Sequence, residues 1–413
     1  MEKLVLDNGL RVLLLPIDGA LSASVGVWIA AGSRFEEPQK QGISHFVEHM
    51  MFKGTSRRTA RQISEEMDLL GGSLNAYTTK EYTRYYAQTL AENAEKAMDL
   101  ILDMITGSRM AEEETQRERG VILEEIAMYE DVGEDLAHEA LCAAVWPDSP
   151  LGRPICGVKD TVAAITPEDL HDYVQGNYTP ERMVVVAAGG IDPDRLMEEI
   201  GGVLGTRPRG RIVPQPDAPP FTPAVALRTK EFEQVSLELA TAGLPAGDER
   251  RYAVMLLNFI VGGGASSRLF QRLREELGLA YSIYSSHYAS AGAGMFAISA
   301  GVSPANQQRA LSEIRRVLDG LAGGVTEEEF LRAKAQVKAS YIMGMETVAS
   351  RATYIGRNEL IEGRAVEPEE VLAQMDRLCP DDIGRLAEQL LAGPWALSAA
   401  GPVLDREAYT AYL

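Results

Sequence analysis

His45, Glu48 and His49 fall within five residues, His45-Phe46-Val47-Glu48-His49, and are the part of this sequence best equipped for chemistry. On a helix, residues four apart lie one turn apart on one face, so both imidazoles can reach a single ion. Glu48 is about 60° from His45 and about 100° from His49 around the helix axis, close enough to flank that ion. A zinc held by two histidines and a distant carboxylate keeps an open position for water, and a free glutamate beside it can take that water's proton. The chemistry implied is metal-assisted hydrolysis, with Glu48 as the base.

The third protein ligand has to come from elsewhere in the chain. Glu125, 76 residues after His49 on an independent helical stretch, is the best candidate. Glu124 points about 100° away from it and is the alternative. Glu118, seven residues before Glu125, shares nearly the same stripe and suits a supporting role, holding a histidine N–H or a water.

With these residues in view, the sequence resembles the pitrilysin-family zinc metallopeptidases, the inverzincins, in which the zinc-protease motif runs backwards as H-x-x-E-H. In length and layout it is similar to the bacterial relatives of the mitochondrial processing peptidase. The matching stretches are Gly42-Ile43-Ser44-His45-Phe46-Val47-Glu48-His49-Met50-Met51-Phe52-Lys53-Gly54-Thr55 and Arg117-Glu118-Arg119-Gly120-Val121-Ile122-Leu123-Glu124-Glu125. The similarity covers essentially the whole chain. It implies that His45, His49 and Glu125 bind one Zn2+ per chain, that Glu48 is the general base and that Glu118 supports the catalytic site.

The resemblance also implies a substrate path. Asn75, Ala76 and Tyr77, within Gly72-Ser73-Leu74-Asn75-Ala76-Tyr77, match the edge strand on which such enzymes align a peptide as an added strand. Arg274 and Tyr281 match the family's Arg-x6-Tyr pair, which can hold a substrate carbonyl and stabilise an oxyanion. In a half-length chain the pair is expected from a second subunit, so a homodimer with two composite sites and an enclosed chamber follows. The function expected is a zinc-dependent endopeptidase acting on peptides or flexible protein segments. The alternative is a non-catalytic scaffold, or a heterodimer subunit of a processing-peptidase-like complex.

The elements that position these residues can be read from turns and periodicity. Val5 to Pro16 alternates around Asn8-Gly9, a hairpin signal, and Ser22 to Ala31 reads as a strand. Ser44 is placed to cap the motif helix, and Thr59 to Leu70 is amphipathic helix. Ser73 to Leu90 is rich in Tyr and Thr, as strands are. A long helical pattern begins at Ala111 with Glu112-Glu113-Glu114, where the helix dipole favours acid, and is expected to run towards Glu139. Met183 to Ala188 is an apolar run suited to a buried strand.

The second half reads as a copy of the first. Thr326-Glu327-Glu328-Glu329 matches Ala111-Glu112-Glu113-Glu114 at an offset of 215. At about this offset the motif helix maps onto apolar Tyr252 to Val261, and Glu118 and Glu125 map onto Ala333 and Ser340. The fold class expected is α+β: two homologous domains from an internal duplication, each a mostly antiparallel sheet flanked by helices. Residues 1–205 are expected to form the zinc-binding domain and 223–413 the copy without metal ligands. Prolines crowd 206–222 between them, and proline fixes the backbone and removes donors, as in an extended linker.

Composition sets the outer limits. The 413 residues carry a formal charge of −20, which argues against nucleic acid and is compatible with basic peptides. No apolar run is long enough for a membrane helix, and the start lacks a signal-peptide layout, so a cytoplasmic protein is expected. Cys142, Cys156 and Cys379 are unclustered, as buried thiols in a reducing compartment would be. Gly262-Gly263-Gly264 lacks the ending of a phosphate loop, and His138, His171 and His287 lack ligand spacing.

Overall fold

The hairpin signalled by Asn8-Gly9 opens the first sheet. β1 (Glu2–Val5) and β2 (Arg11–Pro16) pair antiparallel, and Gly9 turns the chain at φ 89°, a left-handed conformation that glycine adopts without a Cβ clash. β3 (Ser22–Ile29), β4 (Ser73–Thr78), β5 (Thr83–Leu90) and β6 (Met183–Gly189) complete six strands in the order β1-β2-β6-β3-β5-β4. β6 is buried along its whole length, as its unbroken apolar run requires. The computed structural model describes residues 1–210 and 218–413, so residues 211–217 of the expected linker lie outside the described residues.

β7 (Val225–Thr229), β8 (Val235–Ala242), β9 (Ala280–Ser290), β10 (Ala293–Val302) and β11 (Trp395–Gly401) form the second sheet, in the order β7-β11-β8-β10-β9. Setting these against β2-β6-β3-β5-β4 gives the same order, with β1 as the addition. In both sheets the corresponding pair is parallel, β2 with β6 and β7 with β11, while the other pairings are antiparallel. The sheets are therefore mixed, mostly antiparallel and flanked by helices, and the duplication read from the sequence is present in their topology. The helix Arg251–Val261 stands where the motif helix stands in the first copy, and Glu327–Gly344 stands where Glu112–Glu130 does.

Packing departs from the linear boundary at 206–222. The first compact unit comprises residues 1–126, 154–210 and 344–366, and the second comprises 127–153, 218–343 and 367–413. The helix Val348–Glu362 belongs to the first unit: Ala352 and Ile355 close over Leu13, Trp28, Val184 and Val186. Gly356 lies so near the Trp28 indole that a Cβ there would be 2.7 Å from it. Glu359, on the same face, is fully buried and paired with Lys3 at 2.8 Å and Arg11 at 3.3 Å. The helix Gly133–Val145 belongs to the second unit, where Leu141, Cys142 and Val145 pack on Ala240, Met295, Ala297 and Ala396. The two helices begin 215 positions apart, so each repeat gives its equivalent helix to the other repeat's sheet.

The long glutamate helix is shorter than its pattern suggested. It runs Glu112–Glu130, where Asp131 and Val132 close on the carbonyls of Met128 and Tyr129 three residues back, and Val132 turns extended before Gly133 begins the next helix. Of the three cysteines, Cys142 and Cys156 are buried as expected, but Cys379 is exposed at the head of a surface helix; none of the three is in a disulfide among the described residues. No helix among the described residues is long and apolar enough to cross a membrane.

Candidate active site

The motif lies on the helix Ile43–Met51, and burial of Ile43, Phe46, Val47, Met50 and Met51 fixes which way its remaining side chains face. The helix starts at Gly42, at φ 91°, and the capping group is Glu36 rather than Ser44. Glu36 accepts the Gly42 N–H at one oxygen and the Ser44 N–H at the other, both at 2.8 Å, which satisfies two of the orphan donors of the first turn. Ser44 instead turns its hydroxyl to Tyr173, at 2.7 Å. Burial pushes the Glu36 carboxyl up to about 7, against the hydrogen bonds of Ser44 and Gly42 that favour its charge.

His45, His49 and Glu125 converge. His45 Nε2 and His49 Nε2 lie 3.7 and 3.6 Å from the same oxygen, Glu125 Oε2, and the imidazoles sit edge to face with centroids 4.6 Å apart. Separations of that length are too long for hydrogen bonds. They suit ligand atoms around a common ion, because zinc bonds of roughly 2.0–2.1 Å at tetrahedral angles set neighbouring donors roughly 3.4 Å apart. Among the described residues these three are the group whose donor atoms cluster so, all within 4.8 Å. Glu124, the alternative, is exposed and outside the cluster.

Protonation fits the same purpose. Burial, with His49 as the second influence, pushes the His45 imidazole down to about 4, so it is neutral with a lone pair to offer. Its Nδ1 is buried without a hydrogen-bond partner among the described residues. His49 Nδ1 faces Glu118 Oε2 at 3.1 Å, and Lys53 Nζ meets Glu118 Oε1 at 2.8 Å. Glu118 thereby fixes the tautomer that leaves His49 Nε2 free for a ligand. Lys53 went unnoticed in the sequence; its place four residues after His49 was the available signal.

Glu48 is half-buried beside the cluster, with a carboxyl raised by burial and partly restored by Thr78. Thr78 Oγ1 donates to Glu48 Oε2 at 2.5 Å. Thr78 closes β4, the outermost strand of its sheet, which also carries Asn75, Ala76 and Tyr77. Of these, Asn75 is exposed and its Oδ1 accepts the Ala76 N–H at 2.8 Å. Tyr77 turns to the opposite face, against Tyr82, Tyr86 and the Arg84 guanidinium, so its ring is not brought to the His45, His49 and Glu125 group. Period-two alternation, which puts Ala76 and Thr78 on one face, was the signal for Thr78.

In the second unit, Arg274 and Tyr281 come together. The guanidinium stacks on the Tyr281 ring at 5.3 Å, and both residues are exposed. His138, read as an ordinary histidine, is paired through Nδ1 with buried Glu238 at 3.0 Å, while His287 accepts the Leu244 N–H and His171 is exposed.

Comparison with known proteins gives a consistent result. The family model described as insulinase, peptidase family M16, matches residues 11–159, and that described as the peptidase M16 inactive domain matches residues 164–337. The uncharacterized zinc protease YmxG of Bacillus subtilis is 39% identical over 97% of this chain and 98% of its own. An uncharacterized zinc protease of Streptomyces coelicolor is 37% identical over 99% of this chain and 91% of its own. A protease from Helicobacter pylori has the same fold, with a TM-score of 0.89 at 22% identity, covering 97% of this chain and 99% of that one.

Proposed function

Since the chain belongs to peptidase family M16, we propose that it is a zinc-dependent endopeptidase cleaving peptides or flexible protein segments docked as an added strand along β4. The observation that carries this reading is the convergence of His45 Nε2 and His49 Nε2 on Glu125 Oε2, with the Glu48 carboxylate alongside. His45, His49 and Glu125 would hold one zinc per chain. The ion supplies Lewis acidity towards water and the scissile carbonyl.

The residues of the chain do the rest. Glu118 orients His49 through Nδ1. Glu48 takes a proton from water and returns it to the leaving amine, a role suited to a carboxyl raised by burial. Backbone pairing along an edge strand selects extended chains over folded ones and tolerates many side chains. Arg274 and Tyr281 hold the substrate carbonyl, and their exposure leaves them open to a site on a second copy of the chain, as in a homodimer with two composite sites.

The test is cleavage of an unstructured basic peptide by the purified chain, with chelator, after zinc is restored, and by Glu48→Gln. Loss with chelator, recovery with zinc and a rate lower by about 10²–10⁴ in Glu48→Gln are expected. Undiminished cleavage by Glu48→Gln would refute the assignment. An inert, metal-free protein bound to a related chain would favour the non-catalytic subunit instead.

A further inference from the structure

The geometry points to Thr78 as a positioning residue that ties the general base to the docked peptide, an inference that rests on the peptidase reading above. Glu48 reaches over from the motif helix on a flexible side chain, and its carboxylate has one hydrogen bond to a side chain among the described residues, that from Thr78. At 2.5 Å, between a hydroxyl and a carboxylate, it is a short charge-assisted bond.

Proton bookkeeping fixes its direction. Thr83 lies 3.2 Å from Thr78 Oγ1, but donates its own proton to the Ala31 carbonyl at 2.8 Å. A threonine hydroxyl has one proton to give. Thr78 therefore commits its proton to Glu48 Oε2, which leaves Oε1 to accept a proton from water and pass it on.

The same residue faces the substrate path. Thr79 N–H bonds the Tyr82 carbonyl at 2.8 Å across the β4–β5 turn, so alternation along the strand turns the backbone of Thr78 and Ala76 to the open edge, where the Thr78 N–H faces the Glu48 carboxylate and the Thr78 C=O is left for an incoming strand. The Ala76 N–H is occupied by the Asn75 side-chain oxygen, which an incoming strand's carbonyl would replace. A peptide added to β4 thus bonds the backbone of the residue whose hydroxyl holds the base. The spacing between the docked backbone and Glu48 Oε1 is set through one residue, and displacement of a reacting group by about 1 Å can cost roughly 10²-fold.

The test uses the full chain, zinc-loaded, as wild type, Thr78→Val and Thr78→Ser, with steady-state kinetics on one unstructured peptide, zinc affinity by chelator competition and the thermal midpoint. Thr78→Val should lower kcat roughly 10- to 100-fold with KM held to within about twofold. Thr78→Ser should restore kcat, and zinc affinity and the midpoint should be unchanged in both. Should Thr78→Val not fold, Thr78→Ala takes its place. An unchanged kcat, a loss residing in KM, a loss that Ser does not repair, or a fall in zinc affinity would each overturn the inference. These results leave the peptidase reading intact, whereas a wild-type chain that cleaves nothing sinks both.

Discussion

Replacing Glu36 by Gln should flatten the pH dependence of stability. The carboxylate is 5% exposed and its pKa lies at about 7 rather than the ordinary 4.5, because burial penalises the charge more than Gly42 and Ser44 reward it. In the folded chain Glu36 keeps its proton to higher pH than in the unfolded chain. Its contribution is therefore fully present below the unfolded value and is lost as pH rises through the folded one. At about 1.4 kcal/mol per pK unit, the loss attributable to this site between pH 5 and pH 8 is about 2–3 kcal/mol. Glutamine does not titrate, so urea unfolding of wild type and Glu36→Gln at several pH values should give a stability difference that shifts by that amount in the variant's favour as pH rises. The variant pays separately, at all pH values, for an amide group facing one of the two helix N–H donors. A difference that is constant with pH, or that moves in the wild type's favour towards pH 8, would refute the reasoning.

Glu118→Gln should weaken zinc binding by about 10- to 100-fold, read by chelator competition, because His49 loses the carboxylate that fixes its tautomer. Mixing inactive Glu48→Gln with inactive Arg274→Ala should restore about a quarter of wild-type activity if the Arg–Tyr pair acts in trans, since half of randomly formed dimers contain one intact site of two. No recovery after verified subunit exchange would place the pair in cis. Gly356→Ala should destabilise the chain by about 1–3 kcal/mol in urea unfolding, because its Cβ would stand 2.7 Å from Trp28 in a packed interface.

The convergence of His45, His49 and Glu125 was legible because helical periodicity is rigid: His49 is four positions after His45, and Glu125 seven after Glu118, so their faces follow once the helices are granted. The duplication was legible for the same reason, from Glu112 and Glu327 opening equivalent helices. What escaped were relations between elements. Nothing in the spacing of Glu36 and Gly42 says that a 3-10 turn between them folds a carboxylate onto the helix start, and Ser44 has the commoner capping residue type. Thr78 lies just past the Gly72–Tyr77 stretch that carries the family resemblance, and strand alternation sends it and Tyr77 to opposite faces. The exchange of helices Gly133–Val145 and Val348–Glu362 left no local mark, since each has an ordinary amphipathic face that any apolar sheet would accept.

That reciprocal loan of helices has a consequence for anyone who would dissect the molecule. Fission of the gene at the proline-rich stretch yields two fragments, each holding the lid for the other's sheet and lacking its own. Neither fragment alone can bury Trp28 or Met295 as the intact polypeptide does, so each half is expected to fold only in the company of the other.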